Sequence, residues 1–233
     1  MSAAAPLVVL APSFGRDHDD FAAVAAGLSA AGLRVSKPRM RAEGRTGLTY
    51  ADWAGDLLAA VDGGPAILLG HAAGSRYARA AAAIAPDAVL GVVLAAAAGP
   101  GSPAPRQAAD LTLCVAGTAP EPDRRAALRR SFFAPGHDVE GWLTGWHPAL
   151  ARAQRATAPI DGWEGTGGVP VLDLIGAHDP WRPPDSRGAV AAALGRRVTV
   201  VVVDDASHAL LPERPDTVVA AVLAWLDRLR PPR

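Results

Sequence analysis

The sequence has one cysteine, one lysine and no apolar run long enough to cross a membrane among its 233 residues. A lone Cys114 cannot form an internal disulfide or a cysteine metal cluster, and its apolar neighbours favour a buried side chain. The first residues lack the basic stretch of a secretory signal. We therefore predict no signal peptide and expect a cytoplasmic protein.

An excess of either charge is also absent, because 23 basic residues balance 23 acidic ones. This balance argues against nucleic acid or an anionic membrane as the main partner. We expect a small-molecule substrate instead, and a monomer or homodimer. Arginine supplies nearly all of the positive charge and alanine is abundant, a composition expected of a GC-rich bacterial genome.

Short apolar runs alternate with helical patterns along most of the chain. The predicted strands cover residues 7–10, 33–35, 65–69, 89–94, 169–175 and 197–203. Each strand is apolar throughout, which is typical of parallel strands that are covered on both faces. One helix is predicted from Asp17 to Gly32. A second follows a capping box that begins at Thr49, and a third covers residues 213–229. The fold class is therefore α/β, with a mostly parallel, doubly wound sheet.

The alternation stops at Gly99 and resumes at Val169. Residues 99–168 hold helical segments broken by Pro and Gly, including 124–133 and 139–157. The one strand-like feature there is the short apolar run around Cys114. We predict a core domain formed by residues 1–98 and 169–233, with residues 99–168 inserted as a small helical cap.

A tight turn after the third strand is the most informative motif. Gly70-His71-Ala72-Ala73-Gly74 has the shape of G-x-S-x-G, a strand-turn-helix motif that exposes a nucleophile at its strained middle position. The glycines permit close approach of strand and helix. The middle residue here is Ala72, so the nucleophile is missing. Ser75 lies in the following helix, away from the apex, and is a poor substitute.

Two later loops complete a pattern. Asp179 follows the strand at 171–175, and His208 follows the strand at 198–203. The order of nucleophile position, acid and histidine, each after a strand, resembles the α/β-hydrolase superfamily. The resemblance covers essentially the whole chain.

This resemblance implies an α/β-hydrolase fold in which Asp179 and His208 form a hydrogen-bonded pair. It places the backbone N–H groups of Phe14 and Ala73 in an oxyanion hole. It implies no metal and no organic cofactor. The residues that we expect to contact the substrate are Ser13, His71, Trp142, Trp146 and Trp181.

Ala72 has three interpretations. In the first, alanine is native, and His208 acts as a general base that activates water or removes a substrate proton. Gly-His-Ala also makes the elbow similar to that of aminoacrylate (carbamate) hydrolases, and residues 132–146 resemble uncharacterised bacterial α/β-hydrolases. In the second, Ala72 is a deliberate Ser→Ala change in a serine esterase, made to trap a substrate. In the third, the protein binds a small molecule without catalysis. The first two predict a small ester, amide, carbamate or activated carbonyl compound as substrate.

Overall fold

The computed structural model describes residues 5–40, 45–99 and 104–229. In these residues a six-stranded sheet has the order β2-β1-β3-β4-β5-β6, and every pairing is parallel. The predicted fold class is confirmed. The strands are β1 (Leu7–Ala11), β2 (Arg34–Ser36), β3 (Ala66–His71), β4 (Val89–Ala95), β5 (Val171–Gly176) and β6 (Val198–Val203).

Helices connect the strands and cover the sheet. Among the helices that the structure describes, none is long and apolar enough to span a membrane. The α-helices of the described residues are α1 (Ala22–Ala30), α2 (Tyr50–Leu58), α3 (Gly74–Ile84), α4 (Pro105–Ala116), α5 (Glu121–Ser131), α6 (Pro148–Arg155), α7 (Ala189–Leu194), α8 (Leu210–Glu213) and α9 (Pro215–Leu229).

Successive strand residues point to opposite faces of the sheet, and both faces are buried. Val9 and Leu68 pack into a cluster with residues of α2 and α3, such as Trp53. Their neighbours Val8 and Leu69 pack on the other side, with residues of α1 and α9. Covering on both faces explains why the strands are continuously apolar.

The capping box predicted at Thr49 is present. The side chain of Asp52 accepts a hydrogen bond from the Thr49 N–H at 2.9 Å. The helix behind it ends at Leu58.

Strand register brings the functional loops together. Ala11 pairs with Gly70, His71 with Ala95, and Gly176 with Val203, the last residue of β6. The carboxyl ends of β1, β3, β5 and β6 thus lie at one edge of the sheet. In parallel α/β sheets this edge is where ligands bind.

The segment between β4 and β5 corrects two predictions. The strand-like run around Cys114 lies in α4, because Asp110 and Cys114, four residues apart, share its buried face. The predicted helix over 139–157 is a short turn at Glu140–Trp142 followed by α6. Gly145 separates the two with φ of +74°, a left-handed conformation that ends a helix. The division into core and cap stays a prediction.

Candidate functional site

The turn between β3 and α3 has the strained geometry that its sequence predicts. Ala72 lies at the apex with φ of +46°, a conformation that non-glycine residues rarely adopt. A Cβ on Gly74 would overlap the carbonyl oxygen of Ala11, and one on Gly70 would overlap the start of α3. The Ser75 hydroxyl donates to the Gly70 carbonyl at 2.8 Å, inside the helix. The turn therefore has the backbone geometry of the motif, with a methyl group at its apex.

Asp179 and His208 meet as the sequence order predicts. The His208 Nδ1 lies 3.2 and 3.1 Å from the two carboxylate oxygens of Asp179. Both residues are buried. A carboxylate accepts hydrogen bonds, so Nδ1 donates to Asp179 and Nε2 is the ring nitrogen left to face a ligand or water.

The loop that carries Asp179 also packs against the imidazole. The backbone N–H of Trp181 donates to the Asp179 carboxylate at 2.9 Å. The Trp181 ring stacks on His208 with 5.0 Å between ring centroids, and Phe132 contacts the imidazole edge-on at 5.8 Å. These contacts fix both the acid and the plane of the histidine ring.

His71 lies beneath the histidine loop. Its side chain is fully buried, and its Nε2–H donates to the backbone carbonyl of His208 at 2.9 Å. Burial, together with the nearby His208, lowers the pKa of His71 to about 4, so the ring is neutral at physiological pH. The structure thus places His71 under the site, where it supports His208, and not on a surface open to a ligand.

The loop after β1 brings Phe14 beside the elbow. Among the described residues, no acceptor is present for the backbone N–H of Phe14 or of Ala73. The next amide, that of Gly15, donates to Gln154 Oε1 at 2.6 Å. Gln154 lies on α6, so the segment between β4 and β5 holds this loop in place.

These groups line a concave space of about 580 Å³, which we call the elbow cavity. Its volume is that of a small-molecule site. Asp179 lies behind His208 and, like His71, does not line it. The predicted site residues that do line it are Ser13, Phe14, Ala72, Ala73, Trp142, Trp146, Trp181 and His208.

Sequence reasoning missed several lining residues. Arg76 lies one helical turn past Ala72, a spacing that could have revealed it. Gln154 and Arg155 come from α6, and Tyr50 from α2. Tertiary packing alone brings these three to the elbow, so no local signal marks them.

Cys114 is buried, as predicted, and burial raises the pKa of its thiol to about 11. The thiol is therefore protonated and a poor nucleophile at neutral pH. Within residues 5–40, 45–99 and 104–229, no group of three or more His, Cys, Asp or Glu side chains is placed to hold a metal ion.

Several solved structures share this fold. Rv0554 from Mycobacterium tuberculosis is 23% identical, with a TM-score of 0.80 over 97% of this chain and 92% of that one. A thermophilic esterase from Thermogutta terrifontis is 20% identical, with a TM-score of 0.75 over 98% and 92% of the two chains. Carboxylesterase CesB from Bacillus subtilis is 19% identical, with a TM-score of 0.72 over 95% and 84%.

Likeness at this level of identity shows the fold alone. No protein with a curated description matches the sequence. The sequence does match the model of the alpha/beta hydrolase family over residues 8–222, which includes the elbow, the acid loop and the histidine loop. The chain therefore belongs to the alpha/beta hydrolase family.

Proposed function

We propose that the protein hydrolyses a small ester, amide, carbamate or activated carbonyl compound, and that water is the attacking group. The observation that carries this proposal is the buried Asp179–His208 pair, whose imidazole lines a cavity at an elbow with no nucleophile. A pocket that only binds a ligand has no need of a base with a dedicated orienting carboxylate.

The reaction follows from the positions of these groups. The Nε2 of His208 removes a proton from water as the water oxygen bonds to the substrate carbonyl carbon. The N–H groups of Phe14 and Ala73 then stabilise the oxyanion of the tetrahedral intermediate. Collapse of this intermediate breaks the bond to the leaving group, which takes the proton back from His208. Asp179 keeps the imidazole in the required tautomer and stabilises its charged form.

The methyl group of Ala72 cannot form an acyl-enzyme. It leaves room at the apex for the attacking water between His208 and the substrate carbonyl. Trp142, Trp146 and Trp181 form apolar walls around this point, and we propose that they position the body of the substrate. Two structural neighbours are named as an esterase and a carboxylesterase, which supports esters as the first class to test.

The test is turnover of short-chain p-nitrophenyl esters by the wild type, His208→Ala and Asp179→Asn. We expect His208→Ala to lower kcat/KM by about 10²- to 10⁴-fold, the contribution typical of a general base. The matched control is His178→Ala, because His178 is an exposed histidine beside Asp179 that lies outside the cavity. Full turnover by His208→Ala, or no turnover by the wild type, would overturn the proposal.

Intact-mass spectra recorded during turnover test the water route separately. We expect the unmodified mass throughout, because no nucleophile is available to hold an acyl group. An acyl adduct on the wild-type chain would contradict direct attack by water.

A further inference from the structure

The charges around the elbow cavity are all of one kind. Its lining contains two arginines, Arg76 and Arg155, and no Asp or Glu among the described residues. In a protein with equal numbers of acids and bases this is an uneven distribution.

Arg76 lies on α3, one turn beyond Ala72, and is exposed. Among the described residues, its guanidinium forms no ion pair and no hydrogen bond. It also borders a smaller adjoining cavity of about 380 Å³, where Glu164 is the one acidic lining residue. Glu164 is not within ion-pair distance of Arg76, so the guanidinium is available to a ligand.

Arg155 lies at the end of α6, on another side of the cavity. Its guanidinium carbon is 5.6 Å from the centroid of the Phe14 ring, and no carboxylate pairs with it in the described part of the chain. The position over Phe14 brings this charge to the loop that supplies one of the proposed oxyanion donors. Two guanidinium groups that form no ion pair among the described residues thus line the cavity.

The neutral polar groups of the lining are mostly occupied by the protein. Gln154 bonds at both ends of its amide, the Thr157 hydroxyl donates to Ala153, and the Trp181 indole donates to Ser131. The buried Trp142 Nε1–H has no acceptor. The groups left for a ligand include one buried acceptor, Gln107 Oε1, but the two charged groups are both arginine donors, which matches a ligand that carries negative charge.

We propose that the elbow cavity selects substrates that carry a carboxylate, and that Arg76 and Arg155 bind it. This inference rests on the proposed hydrolase function, since it names the substrate class of the same site. Arginine presents a planar fork of N–H donors that matches a carboxylate. The tryptophans that line the cavity favour an apolar body for the rest of the ligand. The substrate is therefore a small amphipathic acid that also contains the bond to be cleaved.

The first test is equilibrium binding, which needs no turnover. 4-Phenylbutyrate and 4-phenylbutyramide have nearly the same shape and differ in charge. Both can be titrated calorimetrically and by the fluorescence of the cavity tryptophans. We expect the acid to bind at least about tenfold more tightly, equivalent to about 1.4 kcal/mol. Equal affinity for the acid and the amide would overturn the inference.

Variants assign the preference to the two arginines. We expect the double variant Arg76→Gln/Arg155→Gln to bind the acid and the amide about equally. The control is Arg129→Gln/Arg196→Gln, which removes the same charge from two exposed arginines outside the cavity. A preference that survives in Arg76→Gln/Arg155→Gln, or that disappears in the control, would overturn the assignment.

Turnover of a matched ester pair separates this inference from the proposed function. The pair is 4-acetoxybenzoate and the neutral 4-acetoxybenzamide, in which the ring keeps the carboxylate away from the ester that is cleaved. Hydrolysis of both at equal kcat/KM, abolished by His208→Ala, would uphold the hydrolase and overturn the carboxylate preference. Arginine-dependent binding of the acid without any turnover would uphold the anion site and overturn the hydrolase.

Discussion

The carboxylate of Glu213 accepts a hydrogen bond from the backbone N–H of Ser207, the residue directly before His208, at 2.6 Å. Its other oxygen accepts from the N–H of Ala134 at 2.5 Å. Ala134 follows α5, so one buried side chain ties the histidine loop to the segment between β4 and β5. The position of His208 depends on this connection as well as on Asp179.

Glu213→Ala should destabilise the protein substantially. It leaves two buried N–H groups without an acceptor, and each such group costs about 1–3 kcal/mol. We expect the free energy of unfolding in urea to fall by roughly 2–4 kcal/mol. The control is Glu140→Gln, which alters an exposed ion pair with Arg125 and should change stability by less than about 1 kcal/mol. Equal effects of the two substitutions would refute this role of Glu213.

Glu213 should also give stability a dependence on pH. Burial raises the pKa of its carboxyl above the ordinary 4.5, despite the two N–H donors that lower it. At a pH between 4.5 and the raised pKa, Glu213 is protonated in the folded chain and ionised in the unfolded chain. The free energy of unfolding therefore falls as pH rises through this window. Glu213→Gln removes this contribution. The free energy of unfolding, plotted against pH from pH 4 upward, should therefore have a less negative slope for Glu213→Gln than for the wild type. Equal slopes for the two proteins would contradict the argument.

Gly74 and Gly55 form a matched pair for testing the elbow. A Cβ at Gly74 would collide with backbone oxygens of the loop after β1, whereas one at Gly55, in α2, meets nothing within 4 Å. We expect Gly74→Ala to lower stability by about 3 kcal/mol or to prevent folding. Gly55→Ala should raise it by roughly 0.5–1 kcal/mol, because alanine favours a helix. Thermal unfolding checks both, and a stable Gly74→Ala protein would show that the elbow is looser than described.

Arg182 and Asp173 form an ion pair of 2.8 Å in which neither side chain is exposed. The guanidinium also donates to the Ala97 carbonyl at 3.0 Å, which ties the acid loop to the end of β4. Arg182→Met would leave the carboxylate buried without its partner, and we expect a loss of about 3–5 kcal/mol. Arg182→Met/Asp173→Asn should recover part of this loss in urea denaturation. A double variant no more stable than Arg182→Met would contradict the coupling.

The sequence predicts the parts of this fold that have local causes. Continuous apolar runs marked the strands, and the order of Asp179 and His208 after two of them indicated the buried pair that the structure contains. The run around Cys114 was misread because a few apolar residues fit a strand or a buried helix equally well. The fold shows the helix through Asp110 and Cys114, four residues apart, which share its buried face.

The parts that sequence reasoning missed depend on distant contacts. Gln154 reaches the loop after β1 from 139 residues away in the chain, and nothing near it in sequence marks that role. In the sequence Glu213 looks like an ordinary residue of a helix, because its two hydrogen-bond donors, the N–H groups of Ala134 and Ser207, come from other segments. Arg76 is different, because its spacing from Ala72 alone places it beside the elbow apex.

The last prediction concerns the missing hydroxyl. Ala72→Ser should be labelled stoichiometrically by a fluorophosphonate, because the strained apex, the free Nε2 of His208 and the unpaired N–H groups of Phe14 and Ala73 are already in place. Intact-mass spectrometry measures the label. The wild type should not react, since Ser75 is engaged inside α3, and Ala72→Ser/His208→Ala should lose the label. A folded Ala72→Ser protein that resists the reagent would contradict this placement of His208 and of the N–H groups of Phe14 and Ala73 around the apex.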